Sequence, residues 1–320
     1  MRKDRLARTV SIGAAVLCGA GTASSNEVSP ELQALRAESA KSALGGQALQ
    51  VLRRVAGPGN QAALETTIDV LNKLGFPDAP TPSDATPKGD SLFVSTSAWA
   101  LEVASDGNRI RLDRNLQGVA PPSVRLSYDE VVRLAKDALE NELSSLVPLG
   151  AGEALVPLSR SDVVYSAITA DGLNRTDTIL ESTARFGRSV DGVTVVGPGS
   201  RAMVSLDSDG GVTGFDIDWS KYTATKTAQQ TVTIEETKAR LQKLEEQGLL
   251  TAQRTLSYIA CGYYDAGTVA GPVTEFIQPA CVYHFRIAPS DGALDVAVPA
   301  GETYDAEPGW PESVALASGS

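Results

Sequence analysis

The chain has 320 residues, 42% of them hydrophobic and 21% charged, with 29 Gly and 17 Pro. That composition fits one large or two ordinary domains with a sizeable core, and it excludes a small disulfide knot, collagen, wholesale disorder and a polytopic membrane protein. A formal net charge of −11 repels phosphate backbones, so nucleic acid is not an expected partner, and a single histidine, His284, with three cysteines leaves little material for His-rich metal sites or His-based triads.

Residues 1–23 read as a secretory signal peptide. Arg2, Lys3, Arg5 and Arg8 precede the apolar run Val10–Leu17, and Gly21-Thr22-Ala23 supplies the small residues expected for cleavage after Ala23. The run falls short of a membrane span. The segment holds four of the 28 basic and one of the 39 acidic residues, so its removal takes the net charge from −11 to −14. A lipid anchor at Cys18 is disfavoured, because Leu17 stands where a small residue normally precedes a modified cysteine. No later segment has the length and apolarity of a membrane span, and the expected location is secreted or extracytoplasmic. Cleavage leaves Cys261 and Cys281, an even pair for an oxidising compartment. Both sit in β-like runs, 255–264 and 279–286, and a bridge between them is expected to stabilise the fold by about 3 kcal/mol.

From Ser29-Pro30-Glu31 a helical signature begins, and residues 24–76 read as a helical N-terminal region. Within it 30–55 is helical, and after Gly57-Pro58-Gly59 a second helix runs over 62–74, with Leu64, Ile68, Leu71 and Leu74 at helical spacing. Residues 77–90, carrying Pro77, Pro80, Pro82 and Pro87, read as a linker. From Ser91 the period becomes two: 92–103 and 109–113 flank the turn signal Asp106-Gly107. Ser127 and Glu130 form a capping box before a helix with Val131, Leu134, Ala135, Ala138 and Leu139 on one face. Strands follow at 163–170, 179–190, 193–196, 201–206 and 212–219, the last two joined through Asp209-Gly210. Thr233 and Glu236 open another helix, which stops at Gly248. Because the two Asp-Gly turns and the two capped helices recur at nearly the same interval, hairpin-then-helix reads as an internal duplication. The expected fold is α+β, with antiparallel sheets each covered by a helix. Its units are 91–220 and 221–299, followed by a flexible tail over 300–320.

The stretch Arg185-Phe-Gly-Arg-Ser-Val-Asp-Gly-Val-Thr-Val-Val-Gly-Pro-Gly-Ser-Arg-Ala-Met-Val-Ser-Leu-Asp-Ser-Asp-Gly-Gly-Val212 resembles the signature of PepSY-type domains and the related thermolysin/fungalysin propeptide module. In those families an aromatic strand leads into Gly-Val-Pro-Val, a small turn, a strand, and Asp-x-x-Gly; here Thr194 stands in place of the Pro. The resemblance covers about 125–287. It implies PepSY/cystatin-like repeats in a secreted, non-catalytic protein that binds a protein partner, a peptidase or a cell-envelope component. No His-Glu-x-x-His motif occurs, so any peptidase it meets is on another chain.

Other chemistry is sparse. Asp207 and Asp209, with Asp216 and Asp218 nearby, invite calcium, although Asp-x-Asp-Gly is also ordinary turn chemistry and no EF-hand loop surrounds it. Val196-Gly-Pro-Gly-Ser200 reads as a strand-connecting turn, since Pro198 lacks the N–H that an anion cradle needs. His284, between Tyr283 and Phe285, reads as a structural histidine, and Trp99, Trp219, Tyr263 and Tyr264 read chiefly as core. No catalytic or cofactor-binding residue is assigned. The alternative is a secreted hydrolase whose carboxylate pair has no sequence signature; a pocket converging buried acids favours it, whereas a long open sheet edge favours the binding protein.

Overall fold

Alternating apolar and polar residues dominate the chain between Ala48 and Pro299, and the computed structural model turns nearly all of that alternation into strands. It describes residues 46–78, 80–116, 125–168, 175–246, 254–267, 275–287, 292–302 and 315–317. The strands are β1 (Ala48–Arg54), β2 (Thr86–Lys88), β3 (Ser91–Ser95), β4 (Trp99–Val103), β5 (Arg109–Arg114), β6 (Glu153–Ile168), β7 (Arg175–Val190) and β8 (Val193–Val196). They continue as β9 (Arg201–Leu206), β10 (Val212–Asp218), β11 (Tyr222–Gln230), β12 (Arg254–Tyr264), β13 (Phe276–Ile287), β14 (Gly292–Pro299) and β15 (Ala315–Ala317). Among the described residues three α-helices accompany them: α1 (Asn60–Lys73), α2 (Tyr128–Glu140) and α3 (Ile234–Glu246).

The strands form one continuous 15-stranded sheet, ordered β11-β1-β13-β12-β8-β7-β9-β10-β5-β4-β3-β2, with β6 on β7 and β14 and β15 following β13. The expected fold of separate antiparallel sheets, each with its own helix, PepSY/cystatin-like repeats and a helical N-terminal region, is overturned by this sheet. Two physical reasons account for the difference. First, the two hairpins read as equivalent parts of a duplication lie side by side in one sheet, β10 pairing β5 as well as β9. Local alternation specifies a strand but not its distant neighbour. Second, Ala48-Leu-Gln-Val-Leu-Arg-Arg54 contains good helix formers, yet β1 is paired by β11 on one side and by β13 on the other. Tertiary pairing overrides a weak propensity. The earlier part of the helical reading, and the signal-peptide and Cys18 readings, lie outside the described residues.

The helices form where capping and spacing predict. The Ser127 hydroxyl accepts from the Glu130 N–H, and the Glu130 carboxylate accepts from the Ser127 N–H at 2.8 Å, so the first turn of α2 is satisfied. The α2 face of Val131, Ala135 and Leu139 packs into the larger core with Ala184, Phe186, Val204 and Leu206, while Leu64, Ile68 and Leu71 bring α1 into it. Leu241 of α3 packs on a second cluster with Tyr283, Phe285, Val296 and Val298. The linker region carries a 3₁₀ turn, Pro82–Asp84, and β2, which pairs β3. In the expected tail, Ala315–Ala317 pairs β14.

The two halves of the sheet meet at β8, antiparallel to β7 and parallel to β12. A buried polar cluster locks this seam. The Asp265 carboxylate accepts from the Arg54 guanidinium, the Ser200 and Tyr222 hydroxyls and the Gly267 N–H. Arg54 also donates to Ser220 Oγ at 2.9 Å. Arg188, fully buried, donates to the Ser220 carbonyl at 2.8 Å and lies over the rings of Trp219 and Tyr222 at 4.0 and 4.3 Å. Burial, reinforced by the Asp265 charge, pushes the Tyr222 hydroxyl well above its ordinary range, so it stays a hydrogen-bond donor. The Val196–Ser200 turn seats Asp265: Gly199 N–H donates to the Asp265 carbonyl at 3.0 Å, and a Cβ at Gly199 would meet the Asp265 carboxylate at 2.4 Å. That contact explains a glycine there.

Candidate functional site

A groove opens beside β7 where β9 stops. β9 pairs β7 from Phe186 back to Ser182, opposite Leu206, and then turns away at Asp207. β7 runs on to Arg175 with β6 on one side. Among the described residues, no strand pairs the other side of Thr178–Glu181. The vacated lane is a groove of about 320 Å³, lined by Arg125 and Leu126, by 177–182 of β7, and by Leu206, Asp207 and Ser208.

Local chemistry fixes its walls. The Asp207 carboxylate accepts from the Asp209 and Gly211 N–H groups at 3.0 and 2.9 Å, closing the β9–β10 turn and steering the chain out of the lane. Behind the lining, Asp162 of β6 accepts from Arg160 Nε and Nη2 at 3.0 and 2.9 Å, from the Ser182 hydroxyl at 2.7 Å, and from Arg125 at 3.2 Å. Asp177 accepts from Ser166 at 2.6 Å. Glu181 is the exception, a buried carboxyl whose Oε1 has no hydrogen-bond partner. Burial holds it above the usual carboxylate range, and the charges of Asp207 and Asp113 add to that, while Thr213 and Arg114 pull the other way.

Two other sheet margins, β6 and β11, are irregular. β6 exposes its outer edge but carries Pro157 and register shifts at 157–159 and 163–164. β11, paired only to β1, bulges around Lys226. The β7 lane is concave, uncharged at Thr178, Ile179 and Leu180, and continuous with an existing ladder.

The residues singled out in the sequence do not converge on this groove. Cys261 and Cys281 face each other across β12 and β13 and are joined by a disulfide. Asp207 and Asp209 sit in the β9–β10 turn, whereas Asp216 and Asp218 stand toward the far end of β10. Among the described residues no group of three or more His, Cys, Asp or Glu has the arrangement of a metal site. His284 stacks on Tyr258 and bonds the Asp295 carboxylate through Nδ1. The indole N–H groups of Trp99 and Trp219 donate to the Pro77 and Pro148 carbonyls, and burial pushes the Tyr263 hydroxyl up to about 12. Of the groove residues, only Asp207 stood out in the sequence; Arg125, Glu181 and Ser182 did not.

No protein-family model and no curated protein matches the chain. Among solved structures it is similar to the crystal structure, at 1.45 Å resolution, of an uncharacterized protein from Eubacterium rectale ATCC 33656. The sequence identity is 11% and the TM-score 0.45, over 81% of this chain and 87% of that one. None of this bears on the resemblance of 185–212 to PepSY-type domains. Among the described residues no helix is long and apolar enough to cross a membrane.

Proposed function

We propose that this chain is a secreted, non-catalytic protein that binds a protein partner by taking an extended segment of it into the lane beside β7. The observation that carries the reading is the groove itself. Among the described residues the strand edge at Thr178–Glu181 is unpaired, along a trough whose ladder begins at Ser182 and Leu206. Strand addition draws affinity from main-chain hydrogen bonds and specificity from pockets for alternate side chains, and an unpaired strand edge beside a groove suits that mode. The Cys261–Cys281 bridge accords with an extracytoplasmic location. A peptidase or a cell-envelope component is the first partner class to try.

The hydrolase alternative draws on Glu181, a raised carboxyl of the kind that serves as a general acid. Its groove neighbours favour binding instead, because Asp177 is exposed and Asp207 is held by turn amides.

Selection of a displayed library of linear ten-residue peptides tests the reading. Wild-type protein is expected to enrich alternating, β-prone sequences, and Ser208→Trp, a surface-turn change that fills the groove, is expected to abolish their binding. Enriched peptides that bind Ser208→Trp as well as wild type, or no enrichment at all, would contradict it.

A further inference from the structure

We propose that the groove is built for a basic side chain: the strand that adds to β7 carries a Lys or Arg whose cationic end pairs with the carboxylate of Glu181. The inference rests on the strand-addition reading of the same groove and names the chemistry of its occupant. Glu181 is 7% exposed, lines the trough and leaves Oε1 without a hydrogen-bond partner, and the Thr213 hydroxyl facing it is likewise unpartnered. A buried polar atom left in that condition costs stability, and a ligand donor removes the cost.

The lining decides the sign of that ligand. Asp177 and Asp207 share the groove with Glu181, and the lining cation, Arg125, is already tied to Asp162 at 3.2 Å. The residues facing Glu181 from the adjoining strands and turn are Asp113 and Arg114 of β5, Thr213 of β10 and Asp207. Asp113, Asp177, Asp207 and Glu181 outnumber Arg114 and Arg125, and that field attracts a cation. An anionic side chain meets repulsion, and an apolar one leaves Oε1 as it is. The length of a Lys or Arg stem also suits an alternate position of an added strand, its methylenes lying against Leu126 and Leu206.

The pairing has a proton balance. In the free protein burial holds Glu181 above its ordinary carboxylate range. Where Glu181 is protonated, docking of an ammonium or guanidinium group, itself already protonated, displaces the carboxyl proton to solvent; where Glu181 is already ionised, no proton moves. Affinity for a basic peptide therefore rises with pH through the raised value of Glu181 and is lost below it, whereas affinity for an uncharged peptide does not follow that curve.

The probes are three acetylated, amidated peptides, Thr-Val-Thr-Xaa-Thr-Val-Thr, with Lys, norleucine or Glu at Xaa, measured calorimetrically against the full-length protein. At pH 7 the Lys peptide is expected to bind about tenfold tighter than the norleucine peptide, the scale of one charge-assisted pair, with the Glu peptide weakest. Glu181→Gln is expected to bring the Lys and norleucine peptides to about the same affinity. Equal wild-type affinity for Lys and norleucine, or an undiminished Lys preference in Glu181→Gln, overturns this inference while strand addition stands. Binding of none of the three overturns both. Should Glu181→Gln not fold, the pH dependence of the Lys-to-norleucine ratio decides: a ratio that does not fall on acidification overturns the pairing.

Discussion

Replacing Asp265 with Ala is expected to lower the unfolding free energy by about 3–5 kcal/mol, the scale of a buried pair deprived of one partner. Asp265 is fully buried, and its carboxylate is the acceptor for Arg54, Ser200, Tyr222 and Gly267. Removing it leaves the buried Arg54 guanidinium without its counter-charge, with Arg188 close enough to add like charge. The loss falls on the seam, because these residues come from β1, the β8–β9 turn, β11 and the segment after β12. Denaturant unfolding of wild type and variant measures it. Asp265→Leu combined with Arg54→Met is expected to regain much of the loss, since a matched apolar pair leaves no orphaned charge. A single variant within about 1 kcal/mol of wild type would show that the cluster does not hold the seam.

The disulfide gives the second large effect. Reduction of Cys261–Cys281 is expected to cost about 3 kcal/mol, because the bridge restricts an unfolded loop with a sequence separation of 20. Both sulfurs are buried beneath Leu241 and beside Tyr283 and Val298, so the bridge also fixes the register of β12 against β13. Guanidinium unfolding with and without reductant reads the difference. Thiol titration of denatured, unreduced protein lacking residues 1–23 checks the premise and is expected to find no free thiol; two free thiols would remove it.

These residues also show how far the sequence can be read. The strands over 185–218, the capping boxes at Ser127 and Thr233 and the pairing of Cys261 with Cys281 were legible, because alternation, caps and cysteine parity are local signals. Arg188 carried a faint one, standing in phase with the buried Ala184 and Phe186. Glu181 carried none: it shares the parity of the wetter Thr183 and Arg185 yet is buried, beside the point where Leu180 falls out of register with β6. Arg54 was hidden in the same way by the irregularity of β1 between Gln50 and Leu52. The single sheet was illegible for a broader reason, since it depends on β1 reaching β13 and β8 reaching β12, pairings between segments far apart in the sequence.

The groove beside β7 is the claim on which the functional account stands, and hydrogen exchange tests it most directly. With a peptide selected by the wild-type protein bound at saturation, amides within Thr178–Glu181 should slow markedly while those on the far margin, in β11, keep their rates. Protection confined to other strands, with Thr178–Glu181 unchanged, would contradict it.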